Sequence, residues 1–347
     1  MKFATLIQVG VLFCIASYRT DADQVSSSEI FIDLWYGDEQ SFGHLGDPQR
    51  QINILGNASG SAEIVDLRYS LNGAVPFSLS LGPDLHRLAG RGDFNVELDV
   101  SELLEGSNRL VIIAIDSDAR QEKRTVIVNY ARGRSWPLPY EVRWSQVKEI
   151  QPVGQVIDGH WVLEQNGVRT LEPYYDRIVA FGDSGWSNYE VSTSVVFHSF
   201  TPPREGPPTY NVSHAAIATR WPGHDRDQYQ PNRKWYPLGA TAEFRLTSGL
   251  DKCRWRIFDG ENLYLEDLEN PRAILLGAPY MMKHRVETLA DEKTLYRVKL
   301  WEAEKEEPND WDFGAVEPAG NLASGSALLI AHHTDVTFGD IYVRPVE

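Results

Sequence analysis

The feature that most constrains this chain is an apolar–polar alternation with a period of two, repeated in short segments from Glu29 onward. Val191, Thr193, Val195 and Phe197 alternate with Ser192 and Ser194, and Phe94, Val96, Leu98 and Val100 are spaced the same way. Successive side chains of a strand point to opposite faces, so this spacing gives each segment one apolar face. No long segment carries the three- and four-residue apolar spacing of an amphipathic helix. The expectation is an all-β protein.

Turn residues cut the alternation into two regions. Leu71-Asn72-Gly73 is a hairpin signal, because Asn-Gly supplies the two left-handed residues of a tight turn. Leu110 to Ile115 is a continuous apolar strand that ends at Asp116-Ser117-Asp118, and Thr125, Ile127 and Asn129 alternate after it. About seven short strands over residues 28–132 predict an immunoglobulin-like sandwich. Trp136-Pro137-Leu138-Pro139 is a stiff stretch, which sets the expected boundary near residue 135. Residues 140–347 carry a longer series of strands, from Ile157–Leu163 to Ile341–Val343, and predict a larger two-sheet jelly roll. With 347 residues, two domains are expected.

The first 22 residues read as an export signal. Lys2 precedes an apolar run from Phe3 to Ala16, which is too short for a bilayer span, and small residues follow. No later stretch reaches a membrane-spanning length, so the mature chain is expected to be secreted and without a span. The chain has two cysteines, Cys14 and Cys253. Removal of the signal leaves Cys253 without an intrachain partner, and its strand-like setting predicts a buried, inert thiol. A formal net charge of −16 argues against nucleic acid and anionic membranes as partners, since both are held by clustered Lys and Arg.

Several segments of the second region resemble the concanavalin A-like lectin/glucanase superfamily, including its laminin G-like and 3-keto-glycoside hydrolase-like branches. The resemblance rests on Asp158-Gly159-His160-Trp161-Val162-Leu163 with Gly167-Val168, and on Trp186-Ser187-Asn188-Tyr189-Glu190-Val191. It continues in Tyr296 to Trp301 with Glu307-Pro308-Asn309-Asp310-Trp311, and in Phe338-Gly339-Asp340-Ile341-Tyr342-Val343. It implies a concanavalin A-like fold and a polysaccharide or glycan as partner. It also implies a structural Ca2+ at Asp340, with Asp158 as a possible companion. The catalytic strand of laminarinase-type glucanases is missing, so their hydrolytic mechanism does not carry over.

Candidate binding residues follow from the side chains. Arg220, Trp221, His224, Asp225, Tyr229 and Trp235 lie in one Pro-flanked stretch that mixes indoles with charged groups. A sugar site needs flat rings for the apolar face of the pyranose and planar donors and acceptors for its hydroxyls. At least one of the two indoles is therefore expected on the surface. Three other groupings carry expectations of their own. The acidic run from Glu302 to Asp312 reads as a solvated face. His332-His333 with Asp335 looks metal-like, but adjacent strand residues point to opposite faces. His198 is a candidate base for a lyase. The reading is a secreted carbohydrate-binding or surface-interaction protein, with a glycan-cleaving lyase or hydrolase as the alternative.

Overall fold

A computed structural model describes residues 29–84, 86–202, 212–224, 239–259 and 263–346. Among these residues the regular structure is strand, apart from single 3-10 turns at Val100–Glu102 and Trp144–Gln146. The all-β expectation holds.

Eight strands precede the Trp-Pro stretch. They are β1 (Ile30–Leu34), β2 (Glu39–Phe42), β3 (Gln51–Gly60), β4 (Ile64–Leu71), β5 (Phe77–Leu79), β6 (Asp93–Asp99), β7 (Gly106–Asp116) and β8 (Gln121–Tyr130). They form a three-stranded sheet in the order β1-β3-β6 and a five-stranded sheet in the order β2-β8-β7-β4-β5. Ile52 and Ile54 of β3, Phe94, Val96 and Leu98 of β6, and Leu110 and Ile112 of β7 pack between the two sheets. Each such side chain, fully removed from water, stabilises by roughly 1.5–3 kcal/mol. At Asn72 and Gly73 both φ values are positive, as the Asn-Gly signal requires.

The second region begins with β9 (Tyr140–Val142), β10 (Gln155–Asp158), β11 (Trp161–Glu164), β12 (Gly167–Thr170), β13 (Arg177–Phe181) and β14 (Tyr189–Phe200). Next come β15 (His214–Trp221), β16 (Ala240–Arg245), β17 (Arg254–Phe258), β18 (Tyr264–Glu266) and β19 (Pro279–Thr288). It ends with β20 (Thr294–Glu302), β21 (Phe313–Glu317), β22 (Ser326–His332) and β23 (Thr334–Pro345). A seven-stranded sheet runs β10-β13-β22-β15-β16-β17-β18, and an eight-stranded sheet runs β11-β12-β23-β14-β19-β20-β21 with β9 added against β23. Between them lies the larger core, to which Val191, Val195 and Phe197 contribute from β14, Ile217 from β15, Val298 from β20 and Leu329 from β22. The strict alternation read in residues 191–197 is the signature of a strand with one face in this core.

The other face of the seven-stranded sheet is buried as well. Ile178, Ala180, Ala216, Ala218, Leu328 and Ile330 form an apolar patch there with Trp221. The register carries one row across the sheet through Ile178, Ile330, Ala216, Glu243 and Arg256, so the face turns from apolar to charged at β16.

Candidate functional site

The two sandwiches meet through polar groups. β3 and β6 alternate, and the face they turn away from the first core carries the buried polar residues Asn53, Asn95 and Glu97 beside Leu55, which packs in the larger core. Buried polar groups are tolerated only when hydrogen-bonded, and these find their partners across the joint. Gln155 Nε2 donates to Asn53 Oδ1 (3.0 Å), and Asn95 Nδ2 donates to the Ile157 carbonyl (2.8 Å). Arg87 is the centre of this network. Its Nε donates to Asp158 Oδ1 at 2.6 Å, and its Nη1 lies 2.9 Å from Glu97. Burial alone would raise the Glu97 carboxyl, but Arg87 and His224 beside it hold it far below the usual carboxylate range.

Beside this joint a cleft of about 390 Å³ opens between the sandwiches, within the roughly 300–1,000 Å³ range of ligand clefts. Its aromatic wall is built by the turn after β1 and the start of β11. Trp35 stacks on His160 with ring centroids 4.6 Å apart and planes 1° from parallel, and Tyr36 meets His160 edge-on at 6.3 Å. The Tyr36 hydroxyl fixes the wall by donating to the Gly159 carbonyl (3.0 Å) and accepting from the Trp161 backbone N–H (2.9 Å). Burial pushes the Tyr36 phenol far up, so it stays protonated. Burial also pushes the His160 imidazole down, despite the opposing charges of Asp33 and Asp93, which favours the neutral ring.

The rest of the cleft is polar. Gln40 and Gln151 are buried, and Gln151 Nε2 donates to Gln40 Oε1 (3.3 Å), while Gln40 Nε2 donates to the Gly37 carbonyl (3.0 Å). Glu39, Lys148 and Glu149 stand exposed at the rim. Half-buried rings, fixed amides and rim carboxylates together can bind a neutral polyhydroxylated ligand through stacking and hydrogen bonds.

The residues singled out in the sequence are placed differently. Asp225, Tyr229 and Trp235 lie outside the described residues, as do the segments 1–28 and 203–211. Arg220 and Trp221 are fully buried, so this end of the stretch is not a displayed surface. The guanidinium of Arg220 is fully engaged inside the protein. Nε donates to the Ser187 carbonyl (2.8 Å), Nη1 to Thr294 and Leu322, and Nη2 to Asn188 and Thr288. Trp221 ends β15 and packs on the apolar patch of the seven-stranded sheet. His224 is buried at the joint, its Nδ1 2.7 Å from Glu97.

Asp158 and Asp340 are not brought together as a calcium pair. Asp158 sits in β10 of one sheet and is bound by Arg87, whereas Asp340 sits in β23 of the other and accepts from the Trp144 backbone N–H (3.0 Å). Asp335 takes a two-pronged bond from Arg169, and His198 Nε2 lies 2.7 Å from Thr337 Oγ1. In the acidic run, Glu307 bridges Lys283 (2.6 Å) and Lys299 (2.8 Å) on the outside of the eight-stranded sheet. Cys253 is a buried thiol whose pKa burial pushes up. Sequence reasoning missed Trp35, Tyr36 and His160 as one wall. The only local signal was a pair of aromatics immediately before the turn glycine, Gly37.

Comparison with protein families and with curated proteins finds no match. Among solved structures, the exoplasmic/lumenal domain of VIP36 in its Ca2+/Man2-bound form overlaps 59% of this chain and 86% of its own, at 10% identity and a TM-score of 0.38. A Bacillus subtilis protein with a galectin-like fold overlaps 59% of this chain and 94% of its own, at 12% identity and a TM-score of 0.32. A carbohydrate-binding module of the β-sandwich superfamily overlaps 92% and 96%, at 9% identity and a TM-score of 0.19. These overlaps are loose, and the chemistry open to this chain is read from its own side chains. Fold and cleft together define an all-β protein of packed sandwiches with an aromatic-walled cleft at their joint.

Proposed function

We propose that this is a secreted carbohydrate-binding protein that holds a polysaccharide or glycan in the cleft between its two sandwiches. One observation carries the reading: the stacked pair Trp35–His160 walls a cleft whose other groups are amides and rim carboxylates. Pyranose rings present an apolar face that stacks on flat side chains and hydroxyls that pair with amides and carboxylates. The net charge of −16 favours a neutral glycan over an anionic one, because like charges repel. Export is supported by the apolar run Phe3 to Ala16 behind Lys2. The second sandwich fits a concanavalin A-like domain in its two large sheets and in the motifs that frame β11, β14 and β23.

The test is a glycan array followed by a search for reducing ends and unsaturated products on every glycan bound. Retention of a neutral glycan without product supports a binding protein. Product in catalytic yield would replace it with a glycan-cleaving enzyme, and silence on the array would leave the cleft without its proposed ligand class.

A further inference from the structure

We propose that Asp176, His214 and His332 form a binding site for a divalent transition metal of the zinc type, on the seven-stranded sheet and separate from the interdomain cleft. The three come from adjacent strands. His214 opens β15 and His332 closes β22, and the two are direct cross-strand partners. Asp176 immediately precedes β13, whose first residue, Arg177, pairs with Ala331 of β22, so Asp176 falls beside His332. Cross-strand partners share a face of the sheet, and all three side chains are buried.

The donor atoms converge. One ligand atom from each residue lies within 4.8 Å of the other two. A point about 2.8 Å or less from all three therefore exists before any side chain moves, against roughly 2.0–2.2 Å for zinc with imidazole or carboxylate. Closing the gap takes up to about 0.6–0.8 Å of movement at each donor, within reach of side-chain rotation. The imidazoles stack face to face, centroids 4.6 Å apart and planes 1° from parallel, so one ring must tilt out of the stack to bring both in-plane lone pairs onto a shared ion. His332 Nδ1 sits 2.6 Å from Asp176 Oδ1. Two lone pairs do not approach so closely unless a proton or a cation screens them.

Outer partners hold the rings as metal-binding histidines are held. His214 Nδ1 lies 3.1 Å from the Val212 carbonyl, and a donor there leaves Nε2 as the free lone pair. Tyr175 packs edge-on against His332 at 4.7 Å. The cationic side chains further along the face are already matched by carboxylates. Arg256 is bound by Glu243 at 2.5 Å, and Arg245 and Arg254 lie 3.0 and 2.5 Å from Glu266. Two imidazoles with one carboxylate favour zinc, cobalt or nickel over calcium or magnesium, which take oxygen ligands. Three protein donors also leave a coordination position open to water or a ligand.

The full chain, without an affinity tag, would be stripped with chelator and titrated with ZnCl2 by calorimetry, and with CoCl2 while its visible spectrum is recorded. The proposal expects one zinc per chain, a melting temperature raised by zinc and restored by EDTA, and a Co2+ spectrum of low coordination number. His214→Gln and Asp176→Asn should each bind zinc roughly a hundredfold or more weaker, beyond the 10–100-fold typical of outer-shell changes. His333→Gln should bind as the parent does. Circular dichroism checks that each variant is folded, and Asp176→Asn, the smallest change, keeps the test valid if His214→Gln does not fold. Absence of stoichiometric zinc binding by the folded parent overturns the proposal and leaves an Asp176–His332 ion pair. Equal zinc binding by parent and Asp176→Asn overturns it too.

Discussion

Arg87 Nε donates to Asp158 Oδ1 at 2.6 Å, across the joint between the sandwiches, with both side chains fully out of solvent. A buried ion pair of this kind is costly to break, because removing Asp158 leaves the Arg87 guanidinium out of water with Glu97 as the carboxylate that remains beside it. Asp158→Ala should therefore lose about 3–5 kcal/mol of stability. The paired replacement Arg87→Met with Asp158→Leu should lose at least as much, since it leaves the buried Glu97 carboxylate without its 2.9 Å partner Arg87 and with His224 as the basic side chain that remains beside it. Denaturant unfolding of the three proteins checks this. A single variant as stable as the parent would mean that the pair does not bind the sandwiches together.

Arg220 presents a different dependence. Its five donors reach Ser187, Asn188, Thr288, Thr294 and Leu322, and its own backbone N–H donates to Tyr189 Oη at 2.7 Å. Lysine keeps the charge but cannot span these acceptors from one planar group. Arg220→Lys should destabilise by on the order of 3 kcal/mol, since each buried acceptor left unpaired costs roughly 1–3. Thermal unfolding reads the loss. Glycan retention measured below the melting temperature should be unchanged, because the side chain lies in the interior.

Glu317 makes stability fall with rising pH. Burial, its hydrogen bond with Asp259 and that neighbour's charge push its carboxyl up to about 7, against 4.5 for a free glutamate, while Tyr296 Oη donates to it at 2.8 Å. The folded pKa is higher, so the folded state binds more protons between the two values. Stability from this group is complete below about pH 4.5 and is lost as pH rises through about 7. Glu317→Gln should flatten that part of the profile and gain on the parent at pH 8. Melting temperatures from pH 4.5 to 8 decide it, and parallel profiles for the two proteins would contradict the assignment.

The period-two pattern that defines an all-β chain is local, which is why Val191 to Phe197 could be read directly as one face of β14. The cleft is not local. Trp35 and His160 belong to different sandwiches, and nothing near either residue announces the other. His332 was visible as a metal-like residue, but its sequence neighbours His333 and Asp335 are not its companions. The strand register sets it against His214 and Asp176 instead. Trp221 misled for a related reason. Pro222 and the charges after it suggest a surface loop, yet β15 runs through Trp221 and turns the indole into the sheet. Asp158 misled because a carboxylate beside a hairpin suits calcium, and its partner Arg87 comes from the other sandwich.

The central claim is that the Trp35–His160 wall binds a glycan. It is tested most directly by the affinity of three variants for the neutral glycan that the parent retains. Trp35→Ala should weaken binding by about 1–3 kcal/mol, the range expected for a stacking aromatic anchor. Trp35 also packs against the larger core, so its melting temperature will fall as well. Glu39→Gln and Glu149→Ala change exposed rim residues, and should weaken binding while leaving the melting temperature within about 2 °C of the parent. Unchanged affinity in all three variants, with the parent still binding, would contradict the account and move the site elsewhere on the molecule.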